Sequence, residues 1–199
     1  MTTEVSLEKL FADLIEQTSQ HSNQHSNQHS KKPPPVHLWD PEKTGDMDLR
    51  IDREGRWLHE SIEIKKPAIV KLFASLLKAE GRDYYLVSPT EKWQIQVDIA
   101  PLYIVNAERI IREGAQVISL STSTDDHILL DINHPLSMQQ FNGVYMPIVT
   151  VRNNLKGLLS RAVFYQLVEW GISRSKLDGQ CEHIIESFGC EFSLGHFTP

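Results

Sequence analysis

Apolar and polar residues alternate at the period of a strand from Asp83 to Pro101, DYYLVSPTEKWQIQVDIAP. Trp93, Ile95, Val97 and Ile99 fall on one side, and Gln94, Gln96 and Asp98 on the other. Tyr84 to Val87 read as a preceding strand and Ser88-Pro89-Thr90 as the turn, which predicts an antiparallel hairpin with one dry and one wet face. Upstream, Leu49 to Ile51 and Trp57 to His59 read as strands joined at Asp52-Arg53-Glu54-Gly55, with Gly55 where a turn needs positive φ. Lys66 to Glu80 reads as a helix carrying Ile69, Val70, Leu72, Phe73, Leu76 and Leu77 on its apolar stripe, with Pro67 near its start and Gly81 just past its end.

The second half has a similar rhythm. Leu102 to Val105, Gln116 to Leu120, His127 to Ile132 and Val144 to Val151 read as strands, and Ser121 to Asp126 as a polar turn. Leu155 to Trp170 reads as a helix capped at Gly171. Ile184 to Phe188 and Glu191 to Leu194, split by Gly189, predict a closing hairpin; a helix over Gln180 to Ser187 is the competing reading.

The N-terminal end is different in kind. Ser6 to Thr18 place Leu7, Leu10, Phe11, Leu14 and Ile15 at helical spacing, and a Gln-His-Ser-Asn repeat then runs into Pro33-Pro34-Pro35. The repeat cannot bury apolar surface and reads as a flexible tether. Were it helical, His21, His25 and His29 would share one face and could hold a transition metal, but its polarity favours disorder. The layout is thus an N-terminal helix (1–19), a tether (20–35), and two α+β domains (36–107 and 108–199). Two halves of like make-up raise the question of duplication, although no aligned repeat of residues joins them.

Composition narrows the function. A formal charge of −6 argues against a surface devoted to nucleic acid. Two cysteines, Cys181 and Cys190, exclude a disulfide scaffold, and no apolar run of about 18 residues predicts membrane insertion. A cytoplasmic setting is expected. Phosphate-binding, dinucleotide, zinc-hydrolase and serine-hydrolase signatures are missing, so no cofactor and no metal are predicted.

Six residues remain as candidates for a site. Glu91 and Asp98 could act as an acid–base pair across a cleft, or simply line a solvated strand face. Trp93 would supply an apolar wall. His134, in His134-Pro135-Leu136 at a strand end, could shuttle a proton or be a turn histidine bonded to backbone. Arg152 and Arg161, with Lys156 between them, could hold a small anion if they converge; otherwise they form a charged helix rim. Cys181 and His183 stand too close in sequence for a catalytic dyad.

In order along the chain stand Asp52 with Gly55 and Trp57, His59, Leu72-Phe73, Tyr84-x-Leu86-x-x-Pro89-x-Glu91, and Val97-Asp98-x-Ala100-Pro101. His134-Pro135-Leu136, Pro147-x-x-x-Val151-Arg152 and Arg161-x-Val163-Phe164-Tyr165-x-Leu167-Val168 follow. Together these resemble the bacterial domain-of-unknown-function family 1285, over about Trp39 to Gly195. Ser61, Glu63 and Lys66 depart from the Gly, Pro and Arg of the family pattern. The resemblance implies a mixed α+β protein of two related domains, hence a duplication, with the second domain similar in outline to pleckstrin-homology-like folds and a pocket where the domains meet. It implies no established activity and suggests ligand sensing or signal transduction.

The leading expectation is therefore a non-enzymatic binding module holding a small molecule or peptide between two domains. An acid–base hydrolase or transferase using Glu91, Asp98 or His134 is the alternative. A third reading is a protein-interaction scaffold, in which the N-terminal helix docks on a partner or a second copy of the chain.

Overall fold

The computed structural model describes residues 34–175 and 180–197. The helix expected over 6–18 lies outside them, as does the tether apart from Pro34 and Pro35. After one 3-10 turn at Val36–Leu38 come β1 (Lys43–Ile51), β2 (Trp57–His59), β3 (Ile62–Glu63), α1 (Pro67–Ser75), β4 (Leu77–Glu80), β5 (Asp83–Val87) and β6 (Glu91–Val97). These strands form one sheet in the order β3-β2-β1-β6-β5-β4. It is two antiparallel meanders joined where β1 and β6 run parallel.

The second sheet uses β7 (Leu102–Arg112), β8 (Ala115–Thr122), β9 (His127–Leu129), β10 (Leu136–Phe141), β11 (Val144–Arg152) and β12 (Leu155–Leu159). Its order is β10-β11-β12-β7-β8-β9, with β7 and β12 parallel. Renumbered from one, that is the order of the first sheet read backwards, so the strand topology repeats. The helices do not repeat: α1 sits between the meanders of the first sheet, whereas α2 (Arg161–Trp170) follows the last strand of the second. A three-stranded sheet of β13 (Ile172–Ser175), β14 (Cys181–Ser187) and β15 (Cys190–Phe197) ends the chain. The architecture is two domains, each a curled sheet with few helices, and mostly β. Both belong to one compact unit, Val36–Pro199. The chain crosses between the sheets at Asp98 to Pro101, ahead of the border expected at 107, because β7 is an unbroken strand of 11 residues.

The expected central hairpin is β5 and β6, with Leu86 opposite Trp93 and Tyr84 opposite Ile95. Both expected helices are shorter at one end. α1 stops at Ser75, and Leu77 to Glu80 instead pair with Asp83 to Leu86, since Lys78 and Lys92 can then both reach Glu80. Leu155 to Leu159 are strand β12, interior to the sheet between β11 and β7, so their apolar residues are buried on both faces. A run buried on two sides has no period of its own and mimics the stripe of a helix. Helix α2 begins only after Ser160, whose hydroxyl accepts from the Val163 amide at 3.3 Å.

The C-terminal hairpin forms as expected, and the competing helix over Gln180 to Ser187 does not, because β14 is clamped onto the second sheet. The buried Ser187 hydroxyl accepts from the Ile118 amide at 2.9 Å and donates to the Leu130 carbonyl at 2.6 Å. Gly171 does follow α2, but in extended backbone. A side chain there would press against His183, whose Nε2 bonds the Val168 carbonyl at 2.7 Å and so caps the helix. Among the described residues no helix is long and apolar enough to cross a membrane.

Candidate functional site

The domains meet along two lines of contact with a groove beside them. At the first, the β1–β2 turn lies on β7 of the second domain. Asp52 shapes that turn: its Oδ1 accepts from the Glu54 and Arg56 amides at 3.0 and 2.9 Å, and its Oδ2 from the Arg56 side chain at 2.7 Å. Gly55, at φ 75°, then sits against Tyr103. At the second, α1 meets the β8–β9 turn and the end of β11. Arg152 donates from Nε to Asp126 Oδ1 and from Nη2 to the Ala74 carbonyl, both at 2.7 Å, and Lys71 pairs with Asp125.

The groove, about 580 Å³, is lined by Arg50, Arg53, Asp98 and Ile99 from the first domain and its exit, and by Phe141, Asn142, Val144 and Met146 from the second. Its charged side is the end of β1 and β6, where Arg50 holds Asp98 through two hydrogen bonds of 2.8 Å. The apolar side is the β10–β11 hairpin. Asn142 and Gly143, at φ 47° and 83°, form its two-residue turn and match the twist of the flanking strands. Beneath the groove Ile99, Tyr103, Phe141 and Met146 pack on the buried Ala100, Ile148 and Leu158.

Of the six candidate residues, the structure places Asp98 alone in this groove. Glu91 and Trp93 do come together, but as a packed pair. Trp93 lies across Gly45 of β1, and its Nε1 donates to Glu91 Oε2 at 3.1 Å, while Lys43 binds Oε1. His134 is held by its own turn, Nδ1 lying 2.9 Å from Asp131 Oδ1, a carboxylate rather than the backbone. Arg152 and Lys156 are on neighbouring strands and Arg161 opens α2, so the three do not form one helix rim. Lys156 donates to Thr150 Oγ1, and Arg161 is solvent-exposed. The groove residues that the sequence reading missed had one visible signal. Asn-Gly between the stretch Leu136 to Phe141 and the apolar run Val144 to Val151 is a hairpin signature. Arg50 and Arg53 had none, since their role depends on which strand lies beside β1.

Among the described residues three carboxylates are held below their usual range: Glu80 by hydrogen bonds from Lys92 and Lys78, and Asp52 and Asp131 by their own turns. Burial acts to raise the Asp52 carboxyl, but the Arg56 amide, the Arg56 guanidinium and the Glu54 amide outweigh it and hold it below its usual range. Asp131 behaves alike: burial is outweighed by the His134 amide, its ring and the Asn133 amide. A carboxylate lowered in the folded state contributes stability above its unfolded pKa of about 4 and loses it as pH falls through the folded value. The urea midpoint is therefore expected to drop between about pH 5 and pH 3, and Asp52→Asn should flatten that slope while lowering the midpoint at pH 7. An unchanged slope would remove Asp52 from the account.

The fold and groove define a two-domain, mostly β protein with a cleft at the domain border. Two family descriptions match it in tandem: "Domain of unknown function (DUF1285), N-terminal domain" over residues 34–100, and "Protein of unknown function (DUF1285), C-terminal domain" over 101–194. The chain belongs to the DUF1285 family. A crystal structure of a DUF1285 family protein from Silicibacter pomeroyi DSS-3 is 38% identical, covering 83% of this chain and 88% of that one with a TM-score of 0.73. Another from Shewanella baltica OS155 is 29% identical, covering 62% of this chain and 91% of that one with a TM-score of 0.50. No curated protein shows significant similarity to the chain.

Proposed function

We propose that this protein is a non-enzymatic binding module whose ligand sits in the groove between the two domains, and whose occupancy is read in signal transduction. The observation that carries this is the groove of about 580 Å³, with charged residues from one domain facing apolar residues from the other. That volume lies within the range of about 300–1,000 Å³ usual for small-molecule sites, and domain borders are a common place for them. The repeated strand order supports duplication of one ancestral unit. In the second unit, a curled sheet followed by a packed helix supports the pleckstrin-homology-like reading. Free Cys181 and Cys190 are consistent with a reducing, cytoplasmic setting.

A thermal-shift screen with metabolites and nucleotides tests the reading. A true ligand at about a hundredfold over its Kd should raise Tm by roughly 5 °C or more. Val144, 55% exposed on the groove side, offers the control, because Val144→Trp fills the groove at small cost to the fold. The shift should vanish in that variant. No stabilisation by any compound, or equal stabilisation of Val144→Trp, would count against a ligand in the groove.

A further inference from the structure

The two sides of the groove differ in what they leave unsatisfied. Arg50 commits Nε and Nη2 to Asp98, so that pair is nearly neutral, and only the Nη1 end of the guanidinium stays open. Arg53 is exposed and has no hydrogen bond or ion pair among the described residues. Its backbone is nevertheless fixed, because it lies inside the turn that Asp52 ties at both ends: Asp52 N donates to the Arg56 carbonyl at 3.0 Å, and Asp52 O accepts from the Gly55 amide at 3.0 Å. Two arginines against one carboxylate give the groove a charge of +1 in a chain whose formal charge is −6. Across from them Phe141, Val144 and Met146 offer apolar surface, with Ile99 at the base.

Each ligand class meets these walls differently. A cation meets a net positive site. A neutral apolar molecule covers the shelf, but it crowds the unpaired guanidinium of Arg53 without giving it a partner, which carries a desolvation cost. An anion with an apolar body satisfies both sides, its head accepting from Arg53 and the open end of Arg50.

We propose that the groove takes a small amphipathic carboxylate, its head on Arg53 and Arg50 and its aliphatic or aromatic body on Phe141, Val144 and Met146. This rests on the binding-module reading above and adds the chemical class of the ligand. Arg50 and Asp98 act as a preset pair that aims the guanidinium and keeps Asp98 from repelling the incoming carboxylate.

Octanoate, octanol and octylamine share one apolar body and differ in the head group, so they serve as probes. Each is titrated into the full-length protein while the amide signals of Ile99, Asn142 and Val144 and the Met146 methyl are followed by NMR. Octanoate is expected to move these signals, to bind more weakly as salt is raised, and to lose roughly tenfold in affinity in Arg53→Gln. Octanol or octylamine binding there as tightly, or octanoate binding Arg53→Gln unchanged, would overturn the carboxylate assignment and leave the groove standing as a ligand site. If none of the three moves the groove signals, the carboxylate assignment falls, and the binding-module reading is then decided by the thermal-shift screen and its Val144→Trp control.

Discussion

Gly55→Ala is expected to destabilise the protein by about 3 kcal/mol and to disturb the groove, even though residue 55 does not line it. Two costs add. Holding a residue with a side chain at the φ of 75° found here costs about 1–2 kcal/mol. The new Cβ would also lie 2.4 Å from Tyr103 Cβ, an atom fixed by its own backbone, so rotating the tyrosine ring gives no relief. Tyr103 in turn rests on Ala100, Ile148 and Leu158. The β1–β2 turn must therefore lift, taking Arg53 with it. Gly143→Ala is the control: φ is 83° in the β10–β11 turn, but an added Cβ meets nothing within 4 Å. It should cost only about 1 kcal/mol, the backbone share. Urea midpoints of the two variants measure the difference; equal losses would mean that the contact with Tyr103 contributes nothing.

Arg152→Met should cost about 2–3 kcal/mol, much more than removal of an ordinary surface charge. Methionine keeps most of the stem, so the loss falls on the guanidinium. Its two partners, Asp126 and the Ala74 carbonyl, belong to different domains, and the Arg152 and Asp126 side chains are only 20% and 18% exposed. Without the arginine the Ala74 carbonyl, in the last turn of α1, loses its side-chain donor. Asp126 keeps only the Thr122 and Thr124 hydroxyls, each at 3.2 Å. Lys71 with Asp125 remains, but this is an exposed pair of small worth. If the loss comes from the shared clamp, Arg152→Met and Asp126→Asn together should cost clearly less than the sum of the single losses. Additive losses would mean that the two residues act separately. The sequence offered Arg152 as a partner for a ligand anion, whereas the fold uses it to fasten one domain to the other.

The same contrast runs through the candidate site. Asp98 stood out as a polar residue at the end of a strongly patterned strand, and it does line the groove. Trp93 and Glu91 stood out for the same reason, yet the parallel pairing of β1 with β6 sets Gly45 beside Trp93 and draws the indole down onto it. Nothing near Trp93 in sequence announces that neighbour, which is 48 positions away. His134 was legible as a turn histidine; that its partner is the Asp131 carboxylate depends on how the loop closes. Arg53 lies in a turn that could be read from Asp52 and Gly55, but its worth to a ligand comes from the Phe141 to Met146 hairpin that faces it across the domain border.

By itself the sequence determined the strands that carry period-two alternation, the turns that demand glycine or asparagine, and family membership, all of which are written in neighbouring residues. It did not determine where α1 stops, that Leu155 to Leu159 are a strand, or which charged residues share a groove. Those depend on strand partners far along the chain, and pairing energies between distant segments override the local preference of each. Only the tertiary structure decided that Arg152 fastens the domains while Arg53 is left with its charge facing the groove.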